Sequence, residues 1–338
     1  MELAYQAGMK KWILSCGYLF LIVLGVGLVR AESPAEYGFG LSQDEALQGW
    51  ISLFDGQTTF GWREATTVLD GSQTLLIGGR TTTEFRGVQL RGDFVNGGSI
   101  TIAGRSLDVK PGPYQVSMDQ GRGPIVLADE LAVTKLVIRP LGLTPRFNGR
   151  DLTDWQPKQR PTTAETKRAI WSIQEGAIRA VGGPGALEYA PRDGRNLLGD
   201  LILQIEVRTR AQGTNGGLFF RNQPGRIMMG YEVQLHNRLY WLAAGQTGCW
   251  TGSIDDRQLA RKLISRDFEL FRMTVVAHGP HIATWVNGYQ TTDWIDTRAP
   301  HDNPREGLRL EPGTLQLQAH DSETDLEFHQ ILVSDLPG

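Results

Sequence analysis

The chain has 338 residues, of which 21% are charged and 40% hydrophobic, and its formal net charge at pH 7 is −3. This composition is that of an ordinary globular protein, and the length is sufficient for one large domain or two smaller ones. Because the chain has no basic excess and no long basic run, binding to nucleic acid is not expected.

The N-terminal segment has the pattern of an export signal. Lys10 and Lys11 precede an uncharged, largely apolar stretch at residues 12–29, and small or β-branched residues follow it. We therefore expect residues 1–31 to be a signal peptide that is cleaved before Glu32, and the mature protein to be exported to the periplasm or the extracellular space. The apolar stretch is also about long enough to span a bilayer, so an uncleaved membrane anchor is the alternative.

The two cysteines limit how the mature chain is stabilised. Cys16 lies inside the apolar stretch, so Cys249 is the one cysteine that remains after cleavage. An exported chain with a single cysteine has no internal disulfide, and its stability must come from packing. A nucleophilic Cys249 is one interpretation, and a buried structural thiol is the preferred one.

An internal repeat indicates two related domains. Residues 53–62 and 146–155 share a Phe-(Asp/Asn)-Gly motif followed by Trp at the same spacing. Each repeat continues with a strand-turn-strand pattern, and similar apolar runs at 131–138 and 326–333 end the two repeats. We predict a leader, a shortened β domain without catalytic function and a full β domain, at residues 32–48, 49–141 and 144–336.

Most of the chain after the leader has β-strand patterning. Short β-branched or alternating runs recur between Gly, Pro, Asn and Asp residues, whereas helical periodicity is weak. Many short strands separated by turns are typical of sandwiches and jelly rolls. The predicted fold class is therefore all-β, with two jelly-roll β-sandwich domains, the first of them shortened.

Two predicted strands of the larger domain carry a polar row opposite an apolar row, because residues two apart in a strand share a face. A solvated sheet face is the simplest interpretation of such rows. The two rows contain imidazoles, amides and a carboxylate, which a face that only provides solubility does not require. A functional concave face is therefore favoured. Tyr231 and Trp250 are added as candidates for stacking on sugar rings. The two rows contain the polar residues Glu232, Gln234, His236, Gln316, Gln318 and His320. A third strand adds Arg221.

Several motifs of the larger domain resemble one known family. They are Phe147-Asn148-Gly149 with Leu152 and Trp155, Gly216-Gly217-Leu218-Phe219-Phe220-Arg221, Gly230-Tyr231-Glu232-Val233-Gln234-Leu235-His236, Trp285-Val286-Asn287-Gly288, and Gly307-Leu308-Arg309-Leu310 with Leu317-Gln318-Ala319-His320. On these residues the chain resembles the 3-keto-disaccharide hydrolase family, which is common among exported bacterial proteins and has a concanavalin-like sandwich. The smaller domain lacks the middle motifs, which agrees with a companion role.

The resemblance implies a carbohydrate substrate with a ketone at C3, cleaved by β-elimination and then hydrated, so that the net reaction is hydrolysis. The ketone acidifies the C2 proton, and the reaction needs a base, a group that stabilises the enolate and an acid for the leaving oxygen. His236 or His320 is the expected base, and Arg221 or a metal the expected enolate stabiliser. Glu232 is expected to be the acid or to orient a histidine.

The remaining expectations concern binding groups. No cofactor is certain; a divalent metal bound by Glu232, His236 and His320 is a hypothesis that no ligand motif supports. The residues expected to contact the sugar are Gln234, Gln316, Gln318, Tyr231 and Trp250.

Two alternatives were weighed against this function. Sandwich glucanases place carboxylates in a Glu-x-Asp-x-Glu row, whereas this row reads Glu232, Gln234, His236, so the two-carboxylate mechanism lacks a partner on this strand. A non-catalytic carbohydrate-binding module would use the same concave face, since fold alone does not fix function. Two imidazoles beside a carboxylate favour an enzyme over this second alternative.

Overall fold

The computed structural model describes residues 36–159, 168–191, 194, 197–237 and 249–336. These residues are nearly all β, and their strand pairs are antiparallel, so the predicted fold class is confirmed. The one α-helix among them, α1 (Gln43–Leu47), begins at a capping box formed by Ser42 and Glu45. No helix in the described ranges is long and apolar enough to cross a membrane, and the predicted signal segment lies outside those ranges.

The first part of the chain forms one continuous sheet. Its strands are β1 (Ile51–Ser52), β2 (Trp62–Arg63), β3 (Thr66–Asp70), β4 (Gln73–Thr81), β5 (Phe85–Phe94), β6 (Gly98–Ile102), β7 (Arg105–Val109), β8 (Gly112–Gly123) and β9 (Val126–Pro140). Among described residues it has nine strands with the central order β2-β4-β9-β5-β8. The N-terminal half of β9 pairs with β4 and β6 and its C-terminal half with β5 and β1, so the sheet encloses an apolar core.

The second part forms two sheets. Its strands are β10 (Thr144–Pro145), β11 (Trp155–Lys158), β12 (Ile170–Gln174), β13 (Ala177–Val181), β14 (Gly185–Tyr189), β15 (Leu201–Thr209), β16 (Asn215–Asn222), β17 (Tyr231–His236), β18 (Leu270–His278), β19 (His281–Val286), β20 (Tyr289–Ile295), β21 (Thr314–Ala319) and β22 (Asp325–Asp335). In the described chain, eight strands form a sheet with the order β12-β13-β22-β15-β18-β19-β20, with β10 beside β22. Five form another, with the order β11-β14-β21-β16-β17.

These two sheets pack face to face as a sandwich. Alternate residues of the five-stranded sheet, such as Leu218, Val233 and Leu317, share one buried core with Leu203 and Val275 of the eight-stranded sheet. Each such side chain contributes roughly 1.5–3 kcal/mol when it is fully removed from water. The opposite face of the five-stranded sheet is therefore left for the polar rows.

The eight-stranded sheet also carries a patch of apolar side chains on its other face. Ile202, Val276, Ala283 and Trp285 belong to the core of the nine-stranded sheet. The indole nitrogen of Trp285 donates to the carbonyl oxygen of Ser52 in β1 at 3.1 Å. The nine-stranded sheet and the sandwich thus share a core on this side, and the free face of the five-stranded sheet lies on the side away from it.

The repeat in the sequence is also a repeat in the structure. The indole nitrogen of Trp62 donates to the carbonyl oxygen of Leu53, and that of Trp155 donates to the carbonyl oxygen of Arg146. The short strand that opens each repeat pairs with the long strand that ends it, β1 with β9 and β10 with β22. The shared indole bond explains why the Phe-to-Trp spacing is the same in both copies.

Candidate active site

The free face of the five-stranded sheet carries the two predicted polar rows. In β17 the side chains of Tyr231, Val233 and Leu235 enter the sandwich core, so Glu232 and Gln234 lie on the free face. The same alternation holds in β21. Between these strands lies β16, where Gly217 pairs with Gln234 on one side and with Gln318 on the other.

A pocket of about 290 Å³ lies over this glycine. Gly217 underlies its floor: a Cβ atom there would lie 2.5 Å from Oε1 of Glu232 and 3.0 Å from Oε1 of Gln318, and both of these side chains line the pocket. The polar residues that line the pocket are Glu232, Gln234, Asp255, Arg305, Gln318 and His320. The sequence rows supply four of the six, and loops supply Asp255 and Arg305.

Arg305 joins two carboxylates in the pocket wall. One terminal nitrogen lies 2.8 Å from Oε2 of Glu232, and the other lies 2.7 Å from Oδ2 of Asp255. The guanidinium also lies over the ring of Phe219, 5.3 Å from its centroid. Arg305 is fixed by these three contacts, which is the pre-organisation that a catalytic or binding group needs.

Glu232 is the titratable group best suited to proton transfer at neutral pH. Its side chain is 6% exposed. Burial and the nearby negative charge of Asp255 raise its pKa to about 7, although Arg305 acts in the opposite direction. A carboxyl group with a pKa near the working pH can serve as a general acid or base.

Cys249 lies beside the same carboxylates. Burial, followed by the charge of Asp255, raises the pKa of its thiol to about 12. The thiol is therefore protonated at neutral pH and is a poor nucleophile. This agrees with the preferred structural interpretation of Cys249.

His320 lies at the pocket rim, immediately after β21. Its Nδ1 atom is 2.9 Å from Oδ2 of Asp321, and its backbone amide donates to the hydroxyl of Thr324. The side chain is 48% exposed. An acidic partner at Nδ1 fixes the ring and leaves Nε2 as the atom that accepts a proton.

His236 does not line the pocket, although it lies on the polar row of β17. Its ring is buried, and its Nδ1–H donates to the carbonyl oxygen of Thr214 at 3.2 Å. Asn215, which pairs with His236, lies at the start of β16, beyond the glycine that forms the pocket floor. The expectation of two histidines in one site is therefore wrong, and His320 alone remains a candidate base.

Gln316 has a structural role instead of the predicted contact with substrate. Its side-chain oxygen accepts from the amide of Met228, and its side-chain nitrogen donates to the carbonyl of Arg226. Both ends of the amide hold the loop that follows β16 against the free face. Through this loop Gln316 places Met228 and Met229, which form an apolar wall of the pocket.

Gln318, by contrast, is available to a ligand. Its side-chain nitrogen lies 3.4 Å from the sulfur of Met228. Its Oε1 atom is buried and has no hydrogen-bond partner among described residues. A buried acceptor without a donor is unfavourable, and a sugar hydroxyl in the pocket would supply that donor.

Arg221 and Tyr231 are displaced from their predicted roles. Arg221 has a positive φ of 47°, and the register of β16 shifts there, so the strand alternation that predicted its face fails. Its side chain is fully buried and donates to Asp200 and to three backbone carbonyls. Tyr231 points into the sandwich core, where its hydroxyl donates to Asp296 at 2.6 Å.

We expect Arg221→Met to lower stability rather than to act on the site alone. The change leaves three carbonyl oxygens without a donor and breaks the buried ion pair with Asp200, a loss on the order of 3–5 kcal/mol. Urea unfolding measures it. Arg80→Met is the control, because Arg80 pairs with Glu64 in solvent, where an ion pair contributes about 0–1 kcal/mol. Equal stabilities for the two variants would contradict the structural role of Arg221.

Trp250 is also outside the pocket wall. Its indole donates to the carbonyl oxygen of Ala260 at 3.0 Å and braces the loop that follows β17. The same loop carries Asp255, so Trp250 supports the site indirectly and does not form its surface.

The sequence prediction missed Arg305. It lies on a loop between β20 and β21, far along the chain from Glu232, and no periodicity marks a loop residue. Asp255 belongs to an acidic pair, Asp255-Asp256, in the loop after β17, and the sequence spacing does not show that it lies beside Glu232. The burial of Glu232 is the signal that indicates Arg305 and Asp255, because a buried carboxylate needs a charged partner.

The residues of the hypothetical metal site do not fit a divalent ion. Glu232 is held by Arg305, and His236 donates from a ring buried under Thr214, while His320 is at the rim. Across the described ranges, no group of three or more His, Cys, Asp and Glu side chains is arranged to hold a metal.

Comparison with known proteins identifies the family. The sequence profile described as the 3-keto-alpha-glucoside-1,2-lyase-like domain matches residues 142–334, which is more than half of the chain. The chain belongs to this family. The match includes the sandwich and every residue of the pocket, so the family assignment and the pocket concern the same part of the molecule. The 3-keto-alpha-glucoside-1,2-lyase-like domain marks the protein as carbohydrate-acting and glycosyl hydrolase-like.

Three solved structures are similar to this chain at low sequence identity. A protein described as a glycosyl hydrolase from Parabacteroides distasonis is 18% identical, with a TM-score of 0.46 over 58% of this chain and 94% of that chain. The carbohydrate binding module CBM66 from Bacillus subtilis is 11% identical, with a TM-score of 0.37 over 54% and 96%. The Ca²⁺- and Man3GlcNAc-bound exoplasmic domain of VIP36 is 10% identical, with a TM-score of 0.37 over 58% and 91%. No curated protein matches the chain.

Proposed function

We propose that the pocket over Gly217 cleaves the glycosidic bond of a 3-keto glycoside by β-elimination followed by hydration. The observation that carries the proposal is the placement of Glu232, a carboxyl group with a pKa of about 7, in a pocket with Arg305 and His320. Together these three provide the acid, the positive charge and the base that the reaction needs.

The elimination begins at His320. Nε2 of His320 takes the C2 proton, and the electron pair of the C2–H bond forms the enolate of the C3 ketone. The enolate collapses to a ketone conjugated with a new C1=C2 bond as the C1–O bond breaks. The leaving oxygen takes the proton of Glu232. Asp321 stabilises the imidazolium that forms at His320.

Hydration completes the cycle. Water adds to C1 and gives a proton to the Glu232 carboxylate, while the His320 imidazolium returns a proton to C2. The products are a 3-keto sugar and the free alcohol, and both side chains regain their starting states. One water is consumed for each bond cleaved, so the net reaction is hydrolysis.

Arg305 takes the stabilising role that the sequence assigned to Arg221. Its side chain lines the pocket and carries a charge that two carboxylates hold in place. A fixed positive charge in a partly buried wall stabilises the enolate oxygen without having to reorient during the reaction. Gln318, whose Oε1 atom lacks a donor, is assigned to a sugar hydroxyl.

An ordinary two-carboxylate glycosidase is less consistent with the geometry. The structure does bring a second carboxylate, Asp255, to Glu232, but both are held by the guanidinium of Arg305 in the same pocket wall. The two-carboxylate mechanisms need separations of about 5–5.5 Å or about 6.5–9.5 Å, so that a sugar or a water fits between them.

The proposal is tested by incubating the protein with a 3-keto-disaccharide and with the same sugar unoxidised, and following products by mass spectrometry. We expect a monosaccharide to be released from the keto sugar alone, and the release to persist in the presence of a chelator. Binding to glycans without turnover of any keto sugar would support the binding module instead.

We expect His320→Gln to lower kcat by about 10²–10⁴-fold, the usual contribution of a general base. Glutamine keeps a polar side chain of similar size at the rim, so KM should change little. His301→Gln is the matched control, because His301 is also a half-exposed histidine beside an acid but lies outside the pocket. Steady-state kinetics on the keto sugar measures both, and equal rates would remove His320 from the mechanism.

A further inference from the structure

Residues 251–255, which belong to the loop after β17, are hydrogen-bonded to that strand. The amide of Asp255 donates to the carbonyl of Glu232 at 3.0 Å, and further backbone bonds join residues 251–253 to Gln234 and His236. The side chain of Asp255 is therefore fixed beside that of Glu232 rather than free to swing into solvent.

The charges around Glu232 do not balance. Two carboxylates face one guanidinium, that of Arg305, which places one nitrogen on each at 2.8 and 2.7 Å. Among the described residues, the other titratable groups near the pair are the thiol of Cys249, which is protonated, and His320 at the rim. On the far side of Arg305, the guanidinium of Arg298 is held by Asp296, and Arg257 donates to backbone carbonyls.

We propose that Asp255 is a positioning residue that keeps the catalytic proton on Glu232 at neutral pH by occupying half of Arg305. The inference rests on the proposed function, in which Glu232 is the acid. With Asp255 ionised on one arm of the guanidinium, a second negative charge in the same buried space is unfavourable, and a proton remains on Glu232.

The unequal exposure of the two carboxylates explains which of them keeps the proton. The side chain of Asp255 is 20% exposed, whereas that of Glu232 is 6% exposed. The more buried carboxylate suffers more from desolvation and is therefore the one that stays neutral. Once Glu232 has given its proton to the leaving oxygen, Arg305 contacts both anions until hydration restores the proton.

The experiment compares Asp255→Asn with Asp256→Asn. Asp256 is the next residue of the loop, is exposed and does not line the pocket, so its variant controls for a change of charge in the same segment. Two readouts are used: the pH profile of kcat on the keto sugar, and the titration of the Glu232 carboxyl group by infrared difference spectroscopy against Glu232→Gln, without substrate.

In Asp255→Asn we expect the Glu232 titration and the alkaline limb of the kcat profile to move together to lower pH by at least about one unit. Activity at pH 8 then falls about tenfold or more, because the acid has lost its proton. Asp255→Glu should restore both, and Asp256→Asn should move neither. An unchanged titration in Asp255→Asn would overturn the inference even if kcat fell. A shifted titration in a protein that turns over no keto sugar would support the role of Asp255 and reject the proposed function.

Discussion

Replacing Glu232 with glutamine is expected to reduce cleavage of a 3-keto glycoside by about 10²–10⁴-fold, because the leaving oxygen loses its proton donor. The glutamine oxygen can still accept from Arg305, so binding of the substrate should be nearly unchanged. Steady-state kinetics and calorimetric binding of the keto sugar measure the two effects. Glu64→Gln, on the exposed surface of the nine-stranded sheet, is the control and should leave both unchanged.

Glu232→Gln is also expected to change how the free energy of unfolding depends on pH. Folding raises the pKa of Glu232 from 4.5 to about 7, so the folded state binds the proton more tightly than the unfolded state. Stability from this group is fully present below pH 4.5 and is lost as the pH rises through about 7, in total roughly 3 kcal/mol. Glutamine does not ionise, so this part of the pH dependence should vanish. Urea unfolding at pH 5 and pH 8 tests it, and an identical pH dependence in both proteins would contradict the buried-acid assignment.

Gly217→Ala is expected to reduce activity by about 10²-fold while leaving the fold intact. The new Cβ atom would come within 2.5 Å of Oε1 of Glu232, so the carboxyl group has to move away from the pocket floor. Displacement of a catalytic group by about 1 Å can lower the rate by that factor. The φ of Gly217 is not in the left-handed region, so alanine is compatible with the backbone.

The neighbouring glycine provides the control. A Cβ atom on Gly216 would point to the other face of β16 and meet Leu326 and the carbonyl oxygen of Gln318 in the sandwich core. Gly216→Ala should therefore cost roughly 1–3 kcal/mol of stability through overpacking, with little effect on the activity of the folded fraction. Thermal unfolding and kinetics on both variants separate the two faces. Loss of activity from Gly216→Ala with full activity in Gly217→Ala would contradict the pocket.

The fold class and four of the six polar pocket residues follow from one property of the sequence, the period of two in β-strands. That period predicts Glu232, Gln234, Gln318 and His320 on one face, and it predicts Arg221 there too. The prediction for Arg221 is wrong because β16 has a left-handed residue and a register shift at this position. Such an irregularity depends on the partner strand and on the buried acceptors around the guanidinium, which periodicity does not contain.

The other errors have a second physical origin. His236 shares its face with Glu232, but the end of β17 is covered by the backbone at Thr214, so a correct face did not make an accessible residue. Gln316 is likewise on the correct face and is taken up by a loop. Arg305 and Asp255 come from loops, which carry no period. In each case the sequence pattern does not show where a loop crosses the face of the sheet.

The double burial of the eight-stranded sheet makes the nine-stranded sheet a cover for the sandwich. The outer face of the eight-stranded sheet contributes Ile202, Val276, Ala283 and Trp285 to the core of the nine-stranded sheet. The family-matching segment, residues 142–334, would therefore expose this apolar patch to water if it existed alone. Removal of the nine-stranded sheet would thus lower solubility before it altered the chemistry of the pocket.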